Sequence, residues 1–514
     1  MLDRRFPHGA HVAALLALLL TLLSLVAGCG EGDTTSTTAR GPDPATLAPA
    51  SAALYAEATV RPSGDMKDDV VAAARKVLRV QDPGAELRRL LDKDHSEGIR
   101  FSRDIEPWLG QRVGGFLTMP RSGSDNPDWA LAFAIADQEA FEGALPRLRR
   151  GDRHGIGSYR GVSYDVDSDH ETYSAHVGDF YVGGTLAGLR AAIDASRGDS
   201  LADASRFAGA TDSVPDGALA FAYFDARAVL PALARADVPP ALRRALAGSA
   251  TSPVVASLTA SADEIAIEAS GASDLTTFDS SDAEVTVGQL PGDAWLALAT
   301  PPIGPLIRSA LDGAGVHDQA AAQVRANLGL DLDRDLLDPL GGLGLFARGA
   351  SPLDLGGGVL LQLTDAAAAQ RLLTRLQAIV AAGAHLPVQP TSAGDARGFE
   401  VGVPQSPQPI VVLAQGDKLA AGYAASSAED LLHPQQRFDE SSAGKAAIDT
   451  LGDGYEPSLV VIVPPLAALL RALDQLEVAD LSQVIPYVEA YRSLAIGTKR
   501  DGDRTTVRVV AALR

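Results

Sequence analysis

The order of landmarks in the first half of the chain recurs in the second half, about 230 to 240 residues later. The segment 104–116 corresponds to 335–346, with Asp, Leu-Gly, Gly and Phe aligned through a one-residue gap. Gly178-Asp179 corresponds to Gly416-Asp417. Two further pairs keep this order: Arg160-Gly161 with Arg397-Gly398, and Arg206-Phe207 with Arg437-Phe438. Shared order and spacing predict two diverged copies of one structural unit.

Each predicted copy contains short apolar runs followed by helical patterns. Residues 129–135 are apolar enough for a strand buried on both faces, and Asp137 is placed to cap the next helix. Residues 358–363 and Asp365 repeat this arrangement. We therefore predict an α+β fold with mainly antiparallel sheets and amphipathic helices packed on one face.

The composition along the chain predicts five segments. They are a signal peptide (1–28), a disordered tether (29–50), a first α+β repeat (51–273), a connector (274–287) and a second α+β repeat (288–514). The tether prediction depends on residues 30–50, which are rich in Thr, Gly and Pro and offer little apolar surface to bury.

The segment Leu25-Val26-Ala27-Gly28-Cys29 closes an apolar run that begins at Ala13 and follows Arg4 and Arg5. It resembles the lipobox of bacterial lipoproteins, which are cut before a cysteine that carries a diacylglycerol. The apolar run has the length of a signal peptide and is short for a membrane span. The resemblance implies export and a lipid anchor on Cys29, with acyl chains such as palmitate. We expect the protein on the outer face of the cell membrane.

The net charge of −21 and the single cysteine exclude several classes of function. A strongly acidic surface repels nucleic acid and anionic lipid, so we expect no nucleic-acid partner and membrane contact only through the Cys29 lipid. With Cys29 lipidated, no disulfide can form within the chain. Thiol catalysis and cysteine-ligated metals are excluded for the same reason.

The first copy contains Asp104-Ile105-x-Pro107-Trp108-Leu109-Gly110-x-x-Val113-Gly114, preceded by an Ala-Leu-Tyr-x-x-x-x-Val strand pattern. This segment resembles one found in a bacterial family known only as a domain of unknown function in exported and membrane-anchored proteins. The second copy lacks the Trp. The resemblance implies a place in the cell envelope and assigns no activity, cofactor or site residue.

One acidic cluster is a candidate metal site. Asp165, Asp167 and Asp169 alternate along the chain and are followed by His170 and His176. An EF-hand is excluded because His170 stands where a glycine is required and His176 where a bidentate Glu is required. Two interpretations stay open: a looser oxygen and imidazole site, or a solvated acidic loop.

No other catalytic or cofactor motif is complete. Ser442-Ala443-Gly444-Lys445 fits S-x-x-K and Ser124-Asp125-Asn126 fits S-D-N, but their order is reversed and no K-T-G follows. The sequence has no G-x-S-x-G, H-E-x-x-H or P-loop. We predict no catalytic residue and no cofactor. Two interpretations are open for the tryptophans at 108, 129 and 295, contact with a ligand and packing in the core, and their position beside apolar runs favours the core.

These observations favour a non-catalytic envelope protein that binds a small molecule, a lipid or a protein. We expect the binding site in a cleft, either between the two copies or between sheet and helices. The first alternative is a structural or assembly-factor lipoprotein that acts by protein contacts alone and needs no cavity. The second is an unrecognised hydrolase centred on Asp165 to His176, which requires those side chains to converge.

Overall fold

The computed structural model describes residues 41–93, 99–119, 126–149, 154–167, 171–233, 252–272, 284–383, 387–404 and 406–514. The described residues form two compact units. Unit 1 contains those from 41 to 272 together with 502–506, and unit 2 contains those from 284 to 501 and from 507 to 514. Cys29 and the predicted signal peptide lie outside the described residues.

Unit 1 is built from short strands and helices. Its described strands are β1 (Leu54–Thr59), β2 (Leu109–Thr118), β3 (Asp128–Ile135), β4 (His154–Tyr159), β5 (Val162–Asp167), β6 (Thr172–Val177), β7 (Phe180–Gly184), β8 (Ala220–Phe224), β9 (Val254–Ala260) and β10 (Glu264–Ala272). Its described helices are α1 (Gly64–Leu78), α2 (Pro83–Lys93), α3 (Gln138–Leu148), α4 (Leu186–Ala195), α5 (Ser205–Thr211) and α6 (Ala226–Leu233). A 3₁₀-helix spans Pro44–Leu47 and a π-helix spans Phe101–Ile105.

The strands of unit 1 pair in the order β4-β5-β6-β7-β3-β2-β1-β8-β9-β10, and all these pairs are antiparallel. Antiparallel neighbours can be joined by a tight turn. The turn between β6 and β7 shows this, because Gly178 adopts the left-handed backbone (φ +58°) that glycine tolerates best.

Unit 2 is also built from short strands and helices. Its described strands are β11 (Leu296–Thr300), β12 (Leu340–Arg348), β13 (Gly356–Leu363), β14 (Val388–Ala393), β15 (Ala396–Val401), β16 (Ile410–Gln415), β17 (Lys418–Tyr423), β18 (Glu456–Ile462), β19 (Tyr491–Asp501) and β20 (Arg504–Leu513). Its described helices are α7 (Ile303–Ala314), α8 (His317–Leu328), α9 (Ala366–Gly383), α10 (Ala425–Leu432), α11 (Ser442–Asp449), α12 (Val463–Gln475) and α13 (Ile485–Val488). A π-helix spans Leu332–Leu337.

The strands of unit 2 pair in the order β14-β15-β16-β17-β13-β12-β11-β18-β19-β20. This order matches that of unit 1 strand for strand. The π-helix also stands before the second strand in each unit. The predicted α+β class with antiparallel sheets is confirmed.

Helices lie on both faces of the unit 1 sheet, so the prediction of helices on one face was wrong. Ala132 of β3 packs in a core cluster with Leu189 of α4. The next residue, Phe133, points to the opposite face and packs in a second cluster with Phe141 of α3. Because β3 is apolar on both faces, both faces need cover from water.

The predicted tether, 29–50, extends too far. Pro44–Leu47 form a 3₁₀-helix, which Asp43 caps by accepting a hydrogen bond from the Ala45 N–H at 3.0 Å. Ala45 and Leu47 are buried in the unit 1 core. The Thr-, Gly- and Pro-rich composition of 30–50 predicted disorder although the segment contains these few apolar residues. Their burial depends on close packing with residues distant in sequence, which composition does not reveal.

Candidate functional site

An open cleft of about 240 Å³ lies on one face of the unit 1 sheet, beside the end of α3. Strands β3, β5, β6 and β7 form its floor and walls, together with the last turn of α3. Apolar and aromatic side chains line the end at β3, and polar side chains line the end at β5 and β6. The cleft is therefore amphipathic along its length.

The register of four neighbouring strands aligns the floor of the cleft. Leu131 of β3 pairs with Gly183 of β7. Gly183 pairs in turn with Ser174 of β6, and Ser174 pairs with Asp165 of β5. Residues opposite each other on paired strands share a face of the sheet. Gly183 keeps the middle of this row open, since a Cβ there would have no atom within 4 Å.

The apolar wall comes from alternate residues of β3. Trp129, Leu131 and Phe133 point to the same face because side chains alternate along a strand. All three are half-buried. Phe133 packs against the core cluster that contains Phe141 of α3. The Phe141 ring also lies 5.4 Å from the ring of Tyr181 on β7. Half-buried rings on a fixed support offer contact area to a ligand.

The polar end of the cleft contains an ion pair. Arg149, directly after α3, donates from Nε to a carboxylate oxygen of Asp165 at 2.8 Å. Asp167 adds a second carboxylate to the lining. Burial raises the pKa of Tyr181, and the charge of Asp165 raises it further, so its hydroxyl, hydrogen-bonded with Ser174, is uncharged at neutral pH. Arg149 therefore already occupies one oxygen of Asp165 at this end of the cleft.

The structure brings part of the predicted acidic cluster together. Asp165 and Asp167 line the cleft. His176 lies on the same face of the sheet, with its ring 5.5 Å from an aromatic ring of α3. Asp169 and His170 lie outside the described residues. Among the residues that the structure describes, no three His, Cys, Asp or Glu side chains form a group that could hold a metal ion.

The corresponding face of unit 2 is apolar and covered. The row equivalent to the cleft floor consists of Val359, Ala421, Val412 and Phe399 on β13, β17, β16 and β15. Val412 and Phe399 belong to a core cluster against which Leu372 of α9 packs. Helix α9 has 18 residues, whereas α3 has 11. The longer helix α9 covers the sheet face of unit 2 that is equivalent to the open cleft face of unit 1.

Three residues of the cleft were not predicted as site residues from the sequence: Arg149, Gly183 and Trp129. Trp108 is in the core as predicted, with 2% of its surface exposed, but Trp129 lines the cleft. Arg149 could not be recognised as a cleft residue from its sequence neighbours, because its partner Asp165 is 16 residues away. The Gly183-Gly184 pair inside a strand was a usable signal, since glycine within a strand often marks close approach of a ligand or a second backbone.

A family model described as "Protein of unknown function (DUF3352)" matches residues 10–513. No curated protein matches the chain. Among the described residues, none of the helices combines the length and hydropathy required to cross a bilayer.

The solved structures that resemble the chain do so distantly. The structure titled "Structure of crystal form I of TP0453" has a TM-score of 0.26 and 13% identity, covering 46% of this chain and 82% of that one. Crystal form III of the same protein has a TM-score of 0.26 and 12% identity, covering 47% and 84%. Scores this low support no inference about fold or function.

Proposed function

The chain belongs to the DUF3352 family of proteins of unknown function, and on this premise we propose that it is a lipid-anchored, extracytoplasmic protein that binds a ligand without transforming it. The proposed location rests on the segment that ends at Cys29, which provides the chain's single site for a thioether-linked lipid. The acidic body would be repelled by anionic lipid headgroups, so the lipid on Cys29 supplies the attachment.

The open cleft of unit 1 is the observation that supports a binding role. It combines a half-buried aromatic wall with an ion-paired polar end, the usual composition of a small-molecule site. Its volume of about 240 Å³ suits a ligand smaller than a typical drug. The proposed ligand is a small amphipathic molecule whose apolar part contacts Trp129 and Phe133.

We also propose that the two units are diverged copies and that only the first retains an open site. The matching pairing order supports common origin, as do the two π-helices and the equivalent caps at Asp137 and Asp365. In this view unit 2 keeps the fold, while its longer helix α9 covers the face that unit 1 exposes.

A role in protein assembly is the second candidate. Four large apolar side chains within 476–487 of unit 2 are more than half exposed: Leu476 (62%), Val478 (68%), Val484 (51%) and Tyr487 (54%). Exposed apolar side chains at this density favour contact with another protein. This candidate needs no ligand in the unit 1 cleft, so a binding measurement at the cleft separates it from the first.

The anchor is tested by replacing its attachment atom. Cys29→Ser removes the thiol that accepts the lipid, and we expect the protein to move from the membrane fraction to the soluble extracytoplasmic fraction. The measurement is immunoblotting of both fractions, with wild type as the control. A Cys29→Ser protein that stays with the membrane would show that another attachment exists.

The binding role is tested by filling the cleft. Gly183→Leu places a side chain where the structure has open space, so we expect the fold to persist and binding of the neutral probe 4-phenylbutan-1-ol to be lost. Isothermal titration calorimetry measures the binding, and thermal unfolding checks the fold.

A matched control adds the same side chain elsewhere on unit 1. Gly143 lies on the exposed side of α3, and a Cβ there also meets no atom within 4 Å. We expect Gly143→Leu to bind the probe as wild type does. Equal binding by wild type and Gly183→Leu, or no binding by wild type, would contradict the proposed site.

A further inference from the structure

We infer that the cleft of unit 1 receives a flat aromatic ring of its ligand, in preference to a saturated ring of equal size. This inference rests on the proposed binding function and specifies the apolar part of the ligand. The ring would stand over Gly183, in the place of an absent side chain, and would contact the rings of Trp129, Phe133 and Tyr181.

Gly183 leaves one position of the cleft floor without a side chain. On this face of the sheet it lies between Leu131 of β3 and Ser174 of β6, the two residues with which it pairs. A Cβ on Gly183 would meet no atom within 4 Å, so the position is open. Paired strands lie about 4.8 Å apart, and residues on one face of a strand about 6.7 Å apart, so the open position has roughly the area of one side chain.

Three aromatic side chains surround this open position. Tyr181 lies two residues before Gly183 on β7. Trp129 and Phe133 lie on β3, two residues to either side of the residue that pairs with Gly183. They are its diagonal neighbours, at a separation of about 7 to 8 Å that aromatic side chains can span. Aromatic rings attract one another at centroid distances of about 4.5 to 7 Å, so a ligand ring over Gly183 gains an attraction that a saturated ring does not.

The core behind the cleft fixes the orientation of the Tyr181 ring. This ring lies 5.4 Å from the ring of Phe141 and 6.0 Å from the ring of Trp108, both of which are buried. Its hydroxyl is hydrogen-bonded with Ser174. A side chain already held in one orientation loses little conformational freedom when a ligand binds, which favours its use as a contact surface.

Unit 2 shows that the fold does not require aromatic side chains at these three positions. By strand register, the residues of unit 2 equivalent to Trp129, Phe133 and Tyr181 are Gly357, Leu361 and Leu419. The two leucines pack in the apolar cluster covered by α9. The three rings therefore accompany the open face and are absent from the covered one, which links them to the ligand of the open face.

The inference is tested with two neutral alcohols that have the same number of carbon atoms, 4-phenylbutan-1-ol and 4-cyclohexylbutan-1-ol. Burial of apolar surface alone favours the cyclohexyl alcohol, which is the more hydrophobic of the two. We expect the opposite order, with the phenyl alcohol binding the wild-type protein about fivefold more tightly. Isothermal titration calorimetry gives both affinities.

A pair of matched variants locates the preference. Phe133→Leu introduces the residue that unit 2 has at the equivalent position, and we expect the preference for the phenyl alcohol to fall to about twofold while the affinity for the cyclohexyl alcohol is unchanged. Phe101 packs against the same core cluster as Phe133 but lines a separate crevice beside α2. Phe101→Leu should therefore keep the fivefold preference, and thermal unfolding checks that both variants are folded.

The outcomes separate the two levels of the proposal. Equal or tighter binding of the cyclohexyl alcohol, with both probes abolished by Gly183→Leu, would leave the binding function standing and overturn the preference for an aromatic ring. A fivefold preference that persists in Phe133→Leu would overturn the assignment of the ring to this wall. Absence of binding by both probes would overturn the binding function, and the inference with it.

Discussion

At the scale of single residues, each unit holds a structural aspartate in the same way. Asp104 is buried and paired with Arg103 and Arg147, and its carboxylate accepts a backbone N–H from four residues earlier at 2.9 Å. In unit 2, Asp335 accepts from Arg334 and from the equivalent N–H, also at 2.9 Å. The Asp104 carboxylate also links its π-helix to Arg147 of α3, whereas the contacts described for the Asp335 carboxylate stay within its π-helix and the cap of that helix.

The pairing of Asp104 predicts a pH-dependent loss of stability. Hydrogen bonds from Arg103, more than any other contact, hold the pKa of Asp104 well below its usual range. A lowered pKa in the folded state means stability that is present above the unfolded-state pKa of about 3.9 and lost as pH falls below it. We expect Asp104→Asn to lower the free energy of unfolding by about 2 kcal/mol at pH 7.

Urea denaturation at pH 7 and at pH 3 checks this expectation. The difference between Asp104→Asn and wild type should shrink at pH 3, because part of the wild-type advantage is lost there. Asp335→Asn is the matched control and should lower the free energy of unfolding by less than Asp104→Asn does. Arg334 also lowers the pKa of Asp335, to about 2, but the side chain of Asp335 is 24% exposed. If the difference in unfolding free energy between Asp104→Asn and wild type is the same at both pH values, the ionised Asp104 carboxylate is not the source of the stability.

Single residues of the cleft were only partly predictable. The acidic cluster drew attention to Asp165 and Asp167 because their alternation is visible in the chain. Arg149 and Trp129 became cleft residues through strand register and the end point of α3, which are tertiary facts. A buried strand and the wall of a cleft have the same apolar and aromatic pattern, so the sequence favoured the core for Trp129 and left contact with a ligand as the alternative.

At the scale of elements, the caps of α3 and α9 were predicted correctly. Asp137 accepts a hydrogen bond from the N–H of Ala140 at 2.9 Å, and Asp365 accepts one from Ala368 at 2.7 Å. Both caps follow an apolar strand with the same spacing, which makes them visible in the sequence.

These two caps allow a matched test of the cleft. Asp137→Ala and Asp365→Ala should each lower the free energy of unfolding by about 1 kcal/mol, since each leaves a helix N–H without its cap. Only Asp137→Ala should also weaken binding of 4-phenylbutan-1-ol, because α3 positions Leu148 at the cleft. Calorimetric titration of both variants checks this, and equal binding by the two would contradict a role for α3 in the site.

Other element-scale features could not be predicted from local pattern. The sequence match placed Arg397-Gly398 opposite Arg160-Gly161, yet Arg160-Gly161 form a turn whereas Arg397 and Gly398 lie inside β15. Strand pairing aligns Asp165 with Phe399, a shift of three residues from that match. The sequence match followed a chance identity of two residues and so missed the true strand register. That register is defined only by the pairing of the strands in the structure.

At the scale of the whole molecule, the predicted halves, 51–273 and 288–514, lie close to the division between the two units. The exception is 502–506, which groups with unit 1 although it lies near the C-terminus. Each unit has the same order of strands, and the order of landmarks in the sequence follows it. The sequence could not show that one unit keeps an open face and the other covers it.

Binding of a ligand at the open face of unit 1 is reported most directly by the indole N–H signals of the tryptophans. The chain has three tryptophans: Trp129 lines the cleft, Trp108 is in the unit 1 core and Trp295 is in unit 2. In a ¹H–¹⁵N NMR titration with 4-phenylbutan-1-ol, we predict that the Trp129 signal shifts and saturates while the other two stay in place. A Trp129 signal that does not move would contradict binding at this face.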